Sequence, residues 1–146
     1  MSRKKVVDIL LVEDDPGDVE LTREGLAAGK MFVNLHTVDD GIKALQFLRG
    51  EAPFSDAVRP DIILLDLNLP RMNGRELLKE IKADDSLRSI PVVVLTTSEA
   101  DVDILNCYKL GASCYITKPV GFEAFLKVVH ALEDFWFTVV KMPPKE

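Results

Sequence analysis

The sequence is poor in cysteine. It has two, Cys107 and Cys114, and neither has the CxxC spacing or the neighbouring histidine that a structural zinc site needs. A disulfide framework is equally unsupported, so we expect reduced thiols in a cytoplasmic protein. No apolar run approaches the ~18 residues of a membrane-spanning helix, and Asp8 interrupts the apolar stretch after the basic start, where an export signal would need continuity. We therefore predict neither export nor a membrane partner.

An excess of positive charge is also missing. Lys and Arg number 18 against 24 Asp and Glu, which gives a net charge of −6 at pH 7. Such a chain has no broad positive field, so we predict no nucleic-acid partner. A length of 146 residues with 47% hydrophobic content is typical of one globular domain. We predict a domain over residues 1–137 and, over 138–146, a C-terminal extension without an output domain.

Short β-branched apolar runs alternate along the chain with longer amphipathic stretches, the pattern of an α/β protein. Several of the short runs are apolar at every position, as expected for parallel strands covered by helices on both faces. The predicted strands span residues 6–12, 34–38, 61–65, 90–95 and 114–117, and the predicted helices span 16–29, 41–49, 74–82, 99–110 and 121–137. Right-handed crossovers then favour a doubly wound, five-stranded parallel sheet, (βα)5, with the flavodoxin-like order 2-1-3-4-5.

Polar residues follow four of the predicted strands. Glu13 and Asp14 follow the first, Asp66 the third, Thr96 the fourth and Lys118 the fifth. In the order 2-1-3-4-5 these groups meet at one edge of the sheet. Crowded carboxylates repel one another unless a cation joins them, and Mg²⁺ suits an oxygen-rich site that also receives a phosphoryl group. A carboxylate there is able to attack a phosphoryl donor if ammonium and hydroxyl groups neutralise the transferring charge.

These residues stand in motifs that resemble the receiver domains of bacterial two-component response regulators, the CheY-like family. The matching segments are Leu10–Asp15, Leu64–Pro70 with the following Met72-Asn73-Gly74, Val94–Thr97, and Gly111–Pro119. They occur in the family's order over residues 5–132. One such motif is weak evidence, whereas an ordered set covering most of the chain makes chance agreement improbable.

The resemblance implies a single-domain response regulator rather than an enzyme acting on a separate substrate. It implies that Asp66 accepts a phosphoryl group from a sensor histidine kinase, with Mg²⁺ as cofactor. Glu13 and Asp14 match the acidic metal pair, and the backbone carbonyl of Asn68 matches a further metal ligand. Asp15 precedes Pro16, a position that favours a helix N-cap over metal ligation.

The same resemblance implies a switch. Thr96 matches the hydroxyl that follows the phosphoryl group, Lys118 the ammonium that pairs with it, and Tyr115 the aromatic switch residue. In the family, phosphorylation changes the surface formed by helix 4, strand 5 and helix 5, and so alters affinity for a downstream protein. Here that protein is unknown. A half-buried packing role for Tyr115 is the alternative.

The last predicted helix has more apolar surface than one sheet is able to bury. We predict that Phe135, Trp136, Phe137 and Val139 contribute to a homodimer contact, because aromatic residues are enriched in interface cores. A tail folded onto its own domain is the alternative. This segment and the long loop over 51–59 resemble the single-domain regulators of phytochrome-type sensor kinases, which implies a bacteriophytochrome as phosphodonor.

The remaining residues of chemical interest have plain interpretations. His36 and His130 show no partner by spacing, and both cysteines are interpreted as small core residues.

Three other functions stay open. One is a non-switching docking or dimerisation module with the receiver fold. The others are a phosphatase that uses Asp66 as nucleophile, disfavoured because Asn68 replaces a second acid, and a flavin-binding relative, disfavoured by the acids after the first strand.

Overall fold

Five parallel strands form one sheet in the computed structural model, which describes residues 6–28, 32–96, 101–112, 114–117, 127 and 130. The order is β2-β1-β3-β4-β5, which confirms the predicted doubly wound topology. β1 lies between β2 and β3, so the two acids that follow it emerge near the end of β3. The strands are β1 (Val6–Val12), β2 (Phe32–Val38), β3 (Ile62–Leu65), β4 (Val92–Thr96) and β5 (Cys114–Thr117).

The central strands are buried on both faces. Leu10 and Ile63 belong to one apolar cluster and Ile9 and Ile62 to another, so successive residues of β1 and β3 fill opposite sides of the sheet. All four residues of β3 are buried. This explains why the strand reads as a continuous apolar run rather than as an alternating one.

Four helices are described: α1 (Pro16–Ala27), α2 (Gly41–Arg49), α3 (Gly74–Ala83) and α4 (Asp101–Lys109). Glycine ends two of them as predicted, because Gly50 (φ 64°) and Gly111 (φ 103°) adopt positive φ angles just after α2 and α4. The predicted helix over 121–137 lies outside the described residues, apart from the exposed Lys127 and His130. Among the helices that the structure describes, none is both long and apolar enough to cross a bilayer.

Several predicted boundaries were wrong by one or two residues. β2 begins at Phe32 because its first residue pairs with Val6 of β1. β4 begins after Pro91, which has no N–H to donate to a ladder. α1 ends at Ala27 rather than near Gly29, and Ala28 caps it in the ordinary right-handed conformation. β3 starts at Ile62, α3 extends to Ala83 and α4 ends at Lys109 rather than Leu110. The predicted first residues of that helix, 99 and 100, lie outside the described residues.

His36 has a partner that its sequence spacing does not reveal. Its Nε2 lies 3.3 Å from Asp8 Oδ1, across the β1–β2 pairing, and its ring packs 5.6 Å from that of Phe47. Asn34 donates a 3.3 Å hydrogen bond to the same Asp8 oxygen, and the Asp8 N–H donates to Asp61 Oδ2 at 2.9 Å. These polar groups join the strands away from the edge where Glu13 and Asp66 lie.

Candidate functional site

Three carboxylates meet at the carboxyl edge of the sheet. Glu13 and Asp14 directly follow β1, and Asp66 directly follows β3. The last residues of these strands, Val12 and Leu65, are paired, and the Asp66 N–H donates a 3.1 Å hydrogen bond to the Val12 carbonyl. As a result, one carboxylate oxygen from each of Glu13, Asp14 and Asp66 lies within 4.8 Å of the others. The predicted convergence of these three acids is therefore present.

Burial differs among the three acids. Glu13 and Asp66 are only 4% and 7% exposed, whereas Asp14 is exposed. The cluster thus has two buried acids and one solvent-exposed acid.

The donor set fits a hard divalent cation. Three carboxylates this close repel one another when ionised, and a cation bridging their oxygens removes that repulsion. Mg²⁺ and similar ions bind oxygen ligands with several waters retained, so a site with an open, solvent-facing side meets their requirements. The three clustered acids offer only oxygen ligands, without the thiolate or imidazole that would favour zinc.

Local hydrogen bonds hold two of the acids in place. The Asp15 N–H donates to Glu13 Oε2 at 3.2 Å, and the Asn68 N–H donates to Asp66 Oδ1 at 3.1 Å. Asp15 itself caps α1, because its Oδ1 accepts hydrogen bonds from the N–H groups of Gly17 (2.8 Å) and Asp18 (3.4 Å). Its predicted N-cap role is confirmed.

The segment from Asp66 to Asn73, here called the acceptor loop, runs from β3 to α3. It contains Asn68, which is exposed two residues after Asp66. Gly74, the first residue of α3, donates its N–H to the Leu67 carbonyl at 2.9 Å. A Cβ atom at Gly74 would lie 2.4 Å from the Asp66 carbonyl oxygen, so only glycine allows the helix to start this close to the loop.

The other predicted site residues are described to different extents. Thr96 ends β4 and pairs with Thr117 of β5, which places it at the same carboxyl edge as Asp66. Lys118 lies outside the described residues, as do the four predicted interface positions Phe135, Trp136, Phe137 and Val139. Tyr115 is partly buried against the apolar cluster that contains Leu10 and Ile63. Its backbone N–H donates to the Tyr108 hydroxyl at 3.2 Å, which connects β5 to α4.

An open cleft of about 550 Å³ adjoins the carboxylates. Pro16 and Val19 of α1 line one side, Lys43 of α2 lines another, and Phe54 contributes from the loop before β3. Glu13 and Asp14 are also part of its wall, so two of the three clustered acids border a recess between α1 and α2.

One ion pair at this edge is not evident from the sequence. Arg71 of the acceptor loop donates from Nε (2.9 Å) and Nη2 (2.6 Å) to Oδ2 of Asp40, the N-cap residue of α2. Arg71 has a positive φ of 61°, which is unusual for a residue other than glycine. The sequence shows a capping Asp before Gly41 but offers no signal that joins it to an arginine 31 positions away.

Comparison with known proteins gives consistent matches. Residues 9–130 match the family model described as the response regulator receiver domain. Response regulator Rcp1 of Synechocystis sp. is 42% identical over 135 residues, which cover 92% of each chain. The crystal structure of the phosphorylated cyanobacterial phytochrome response regulator RcpA is 44% identical, with a TM-score of 0.90, covering 96% of this chain and 100% of that one. The Mn²⁺-bound form of Rcp1 is 41% identical, with a TM-score of 0.88, covering 94% and 99%. This chain belongs to the response regulator receiver domain family.

Proposed function

We propose that Asp66 is the phosphoacceptor of this receiver and that Glu13, Asp14, Asp66 and the Asn68 carbonyl bind Mg²⁺. The observation that supports this assignment is the cluster of three carboxylates within 4.8 Å at the carboxyl edge of β1 and β3. Asp66 is the member that follows the central apolar strand and lies at the start of the acceptor loop. The relative Rcp1 has a Mn²⁺-bound form, which is consistent with the binding of a divalent ion by this chain.

The transfer follows from the chemistry of a carboxylate nucleophile. An Asp66 oxygen attacks the phosphorus of a phosphohistidine, the P–N bond breaks, and the imidazole leaves with the electron pair. Mg²⁺, when bound, neutralises charge on the transferring oxygens. We assign the remaining neutralisation to Lys118 and the hydroxyl of Thr96, which follow β5 and end β4. Water later attacks the phosphorus, which releases inorganic phosphate and restores the carboxylate.

Intact-mass measurement tests this assignment. The protein is incubated with Mg²⁺ and acetyl phosphate, and the expected product has one added mass of about 80 Da. Asp66→Asn and a chelator should each abolish it. Asp39→Asn is the matched control, because Asp39 is an exposed acid lining the same cleft but is not one of the three clustered carboxylates. Loss of the increment in Asp39→Asn as well, or its persistence in Asp66→Asn, would contradict the assignment. No increment in the folded wild type would favour the docking module.

We further propose that the phosphodonor is a phytochrome-type histidine kinase and that the protein acts in the cytoplasm. The support for the donor is similarity to RcpA and to the bacteriophytochrome response regulator RtBRR, which is 41% identical with a TM-score of 0.76. The chain has only two cysteines, without the spacing of a disulfide framework, which is consistent with a reducing compartment. Phosphotransfer from a panel of autophosphorylated kinases tests the donor: a bacteriophytochrome should transfer fastest at equal concentrations, and a faster unrelated kinase would refute the proposal.

For output, we propose that phosphorylation changes the surface of α4, β5 and the following helix. Leu105 and Tyr108 of α4 are exposed, and the Tyr108 hydroxyl accepts the Tyr115 N–H, so a change at Tyr115 has a direct route to α4. Amide hydrogen exchange over 101–117 should change on phosphorylation of the wild type and stay constant in Asp66→Asn treated alike. Unchanged exchange in a fully phosphorylated sample would instead indicate a non-switching module.

We also propose a homodimer formed through the apolar segment that includes Phe135, Trp136, Phe137 and Val139. Its support is the concentration of aromatic residues in the sequence there. Sedimentation at micromolar concentration should give a dimer that Trp136→Glu dissociates. A wild-type monomer, with or without phosphorylation, would favour the tail that folds onto its own domain.

A further inference from the structure

Both oxygens of the Asp40 carboxylate are in use. Oδ1 accepts the Lys43 N–H at 2.7 Å and so caps α2, while Oδ2 accepts two hydrogen bonds from the Arg71 guanidinium. The Asp40 side chain is only 7% exposed and the Arg71 side chain is 53% exposed. A largely buried carboxylate with two charged donors on one oxygen restrains its partner more firmly than a solvated surface pair does.

The acceptor loop also touches α2 through its backbone. A Cβ atom at Gly41 would lie 2.3 Å from the Met72 carbonyl oxygen, so the first residue of α2 and the loop are in direct contact. Arg71 and Met72 are neighbours, and their partners Asp40 and Gly41 are neighbours too. Two adjacent contacts therefore fix both the position and the direction of the loop relative to α2.

The same short segment is also bonded to the other half of the metal site. Val38, two residues before Asp40, accepts the Glu13 N–H at 3.0 Å. Residues 38–41 consequently join the Glu13–Asp14 side to the acceptor loop. Since Asn68 is three residues before Arg71, a shift of Arg71 changes the distance between the Asn68 backbone and the two acids.

The backbone of Arg71 gives independent support. A left-handed conformation at a non-glycine residue costs roughly 1 kcal/mol and persists only where the surroundings impose it. Arg71 has this conformation, with φ of 61°, and its side chain is bonded to Asp40.

We propose that the Arg71–Asp40 ion pair is a positioning clamp: it holds the acceptor loop in the conformation in which Asn68 and Asp66 complete the cation site. This inference rests on the proposed metal site and assigns a role to two residues that do not themselves bind the metal. Breaking the clamp should weaken cation binding, because the loop must then be ordered by the metal itself.

The decisive variant is Arg71→Gly. Glycine adopts the left-handed conformation without strain, so that conformation stays accessible to the loop while the clamp is lost. Removing a positive charge beside an acidic cluster would, by electrostatics alone, tighten the binding of a cation. The clamp predicts the opposite sign. Lys43→Gln is the matched control, because it removes a positive charge from the cleft wall without touching the Arg71–Asp40 pair.

Calorimetric titration with Mn²⁺ and Mg²⁺ alone supplies the readout. We expect Arg71→Gly to raise the metal Kd about three- to tenfold, an effect no larger than is typical for the loss of a group that orients metal ligands. Lys43→Gln should leave the metal Kd unchanged or lower it. Asp40→Asn keeps an oxygen for the Lys43 N–H, and in the double variant its effect should not add to that of Arg71→Gly. Saturating Mg²⁺ should restore phosphoryl uptake from acetyl phosphate.

An unchanged or lower Kd in Arg71→Gly would overturn the clamp, even if the melting temperature falls, and so would fully additive effects in the double variant. The titration needs no phosphoryl transfer. If wild-type Asp66 takes up no phosphoryl group, the proposed function fails while the metal titration still decides whether the clamp exists.

Discussion

Substitution of Gly74 by alanine tests how tightly α3 is packed against the acceptor loop. The added Cβ would lie 2.4 Å from the Asp66 carbonyl oxygen and 2.6 Å from the Leu67 Cα. Both atoms belong to the backbone, so no side-chain rotation relieves the contacts. The helix start and the loop must separate by roughly 1 Å before ordinary van der Waals distances return.

The free energy of unfolding should fall by about 2 kcal/mol. Overpacking of this kind costs about 1–3 kcal/mol, and backbone atoms on both sides place Gly74 in the upper half of that range. Alanine recovers up to ~1 kcal/mol of helix propensity in a helix interior and less at a first helical position. For a chain of 146 residues, a loss of about 2 kcal/mol lowers the melting temperature by roughly 6–8 °C.

Gly17→Ala is the matched control, since Gly17 lies in the first turn of α1. Its added Cβ would meet only the Asp15 Oδ1 side-chain atom at 3.2 Å, which is able to shift, so the change should stay within about 0.5 kcal/mol. Urea denaturation measures both variants. Because the Gly74 contact is on Asp66 itself, Gly74→Ala should also slow phosphoryl uptake at fixed Mg²⁺. Equal stabilities of the two variants would refute the packing argument.

Two further predictions concern charged groups near α3. Lys82 Nζ donates to the carbonyls of Arg88 (2.9 Å) and Ile90 (3.0 Å), so Lys82→Met should cost about 1–2 kcal/mol in urea at pH 7. Burial lowers the pKa of Lys82 below its ordinary value of 10.5, so as the pH rises the folded state loses this proton before the unfolded chain does. The free energy of unfolding of the wild type should therefore rise with pH, and its difference from that of the variant should widen as the pH rises towards 10.5. A gap that narrows over that range would contradict the assignment. The hydroxyl and N–H of Ser86 lower the pKa of Asp84 below its ordinary value of 3.8. The stability difference between wild type and Asp84→Asn should therefore be present above that pH and close as the pH falls through the lowered pKa; a difference independent of pH would refute it.

The fold was predictable where local chemistry marks the ends of elements. Asp15-Pro16 marks the start of α1, and Gly50 marks the end of α2 because a left-handed residue must follow that helix. Boundaries set by partners elsewhere in the chain were missed. β2 begins at Phe32 because β1 provides Val6 as its partner, and no property of residues 32–33 shows this in the sequence.

Some contacts of the candidate site were likewise predictable from the sequence and others were not. Glu13, Asp14 and Asp66 were predictable, since the order of parallel strands decides which strand ends meet and each acid directly follows its strand. The Arg71–Asp40 and His36–Asp8 contacts were not. Each joins residues about 30 positions apart, and each depends on side-chain reach across a particular loop or strand register, which neither periodicity nor motif spacing encodes.

The carboxylate cluster also has a consequence for stability. Folding alone brings three acids within 4.8 Å, with Glu13 and Asp66 largely removed from water, and that arrangement opposes folding when the acids are ionised. The surrounding apolar strands offset the opposition, because β3 is buried at every position and Asp66 is attached to its end. A cation that binds only the folded state then adds stability by mass action, about 2.7 kcal/mol at 100 times its Kd. The same geometry that supports Asp66 as our proposed phosphoacceptor therefore predicts that the stability of the fold depends on the concentration of a divalent cation.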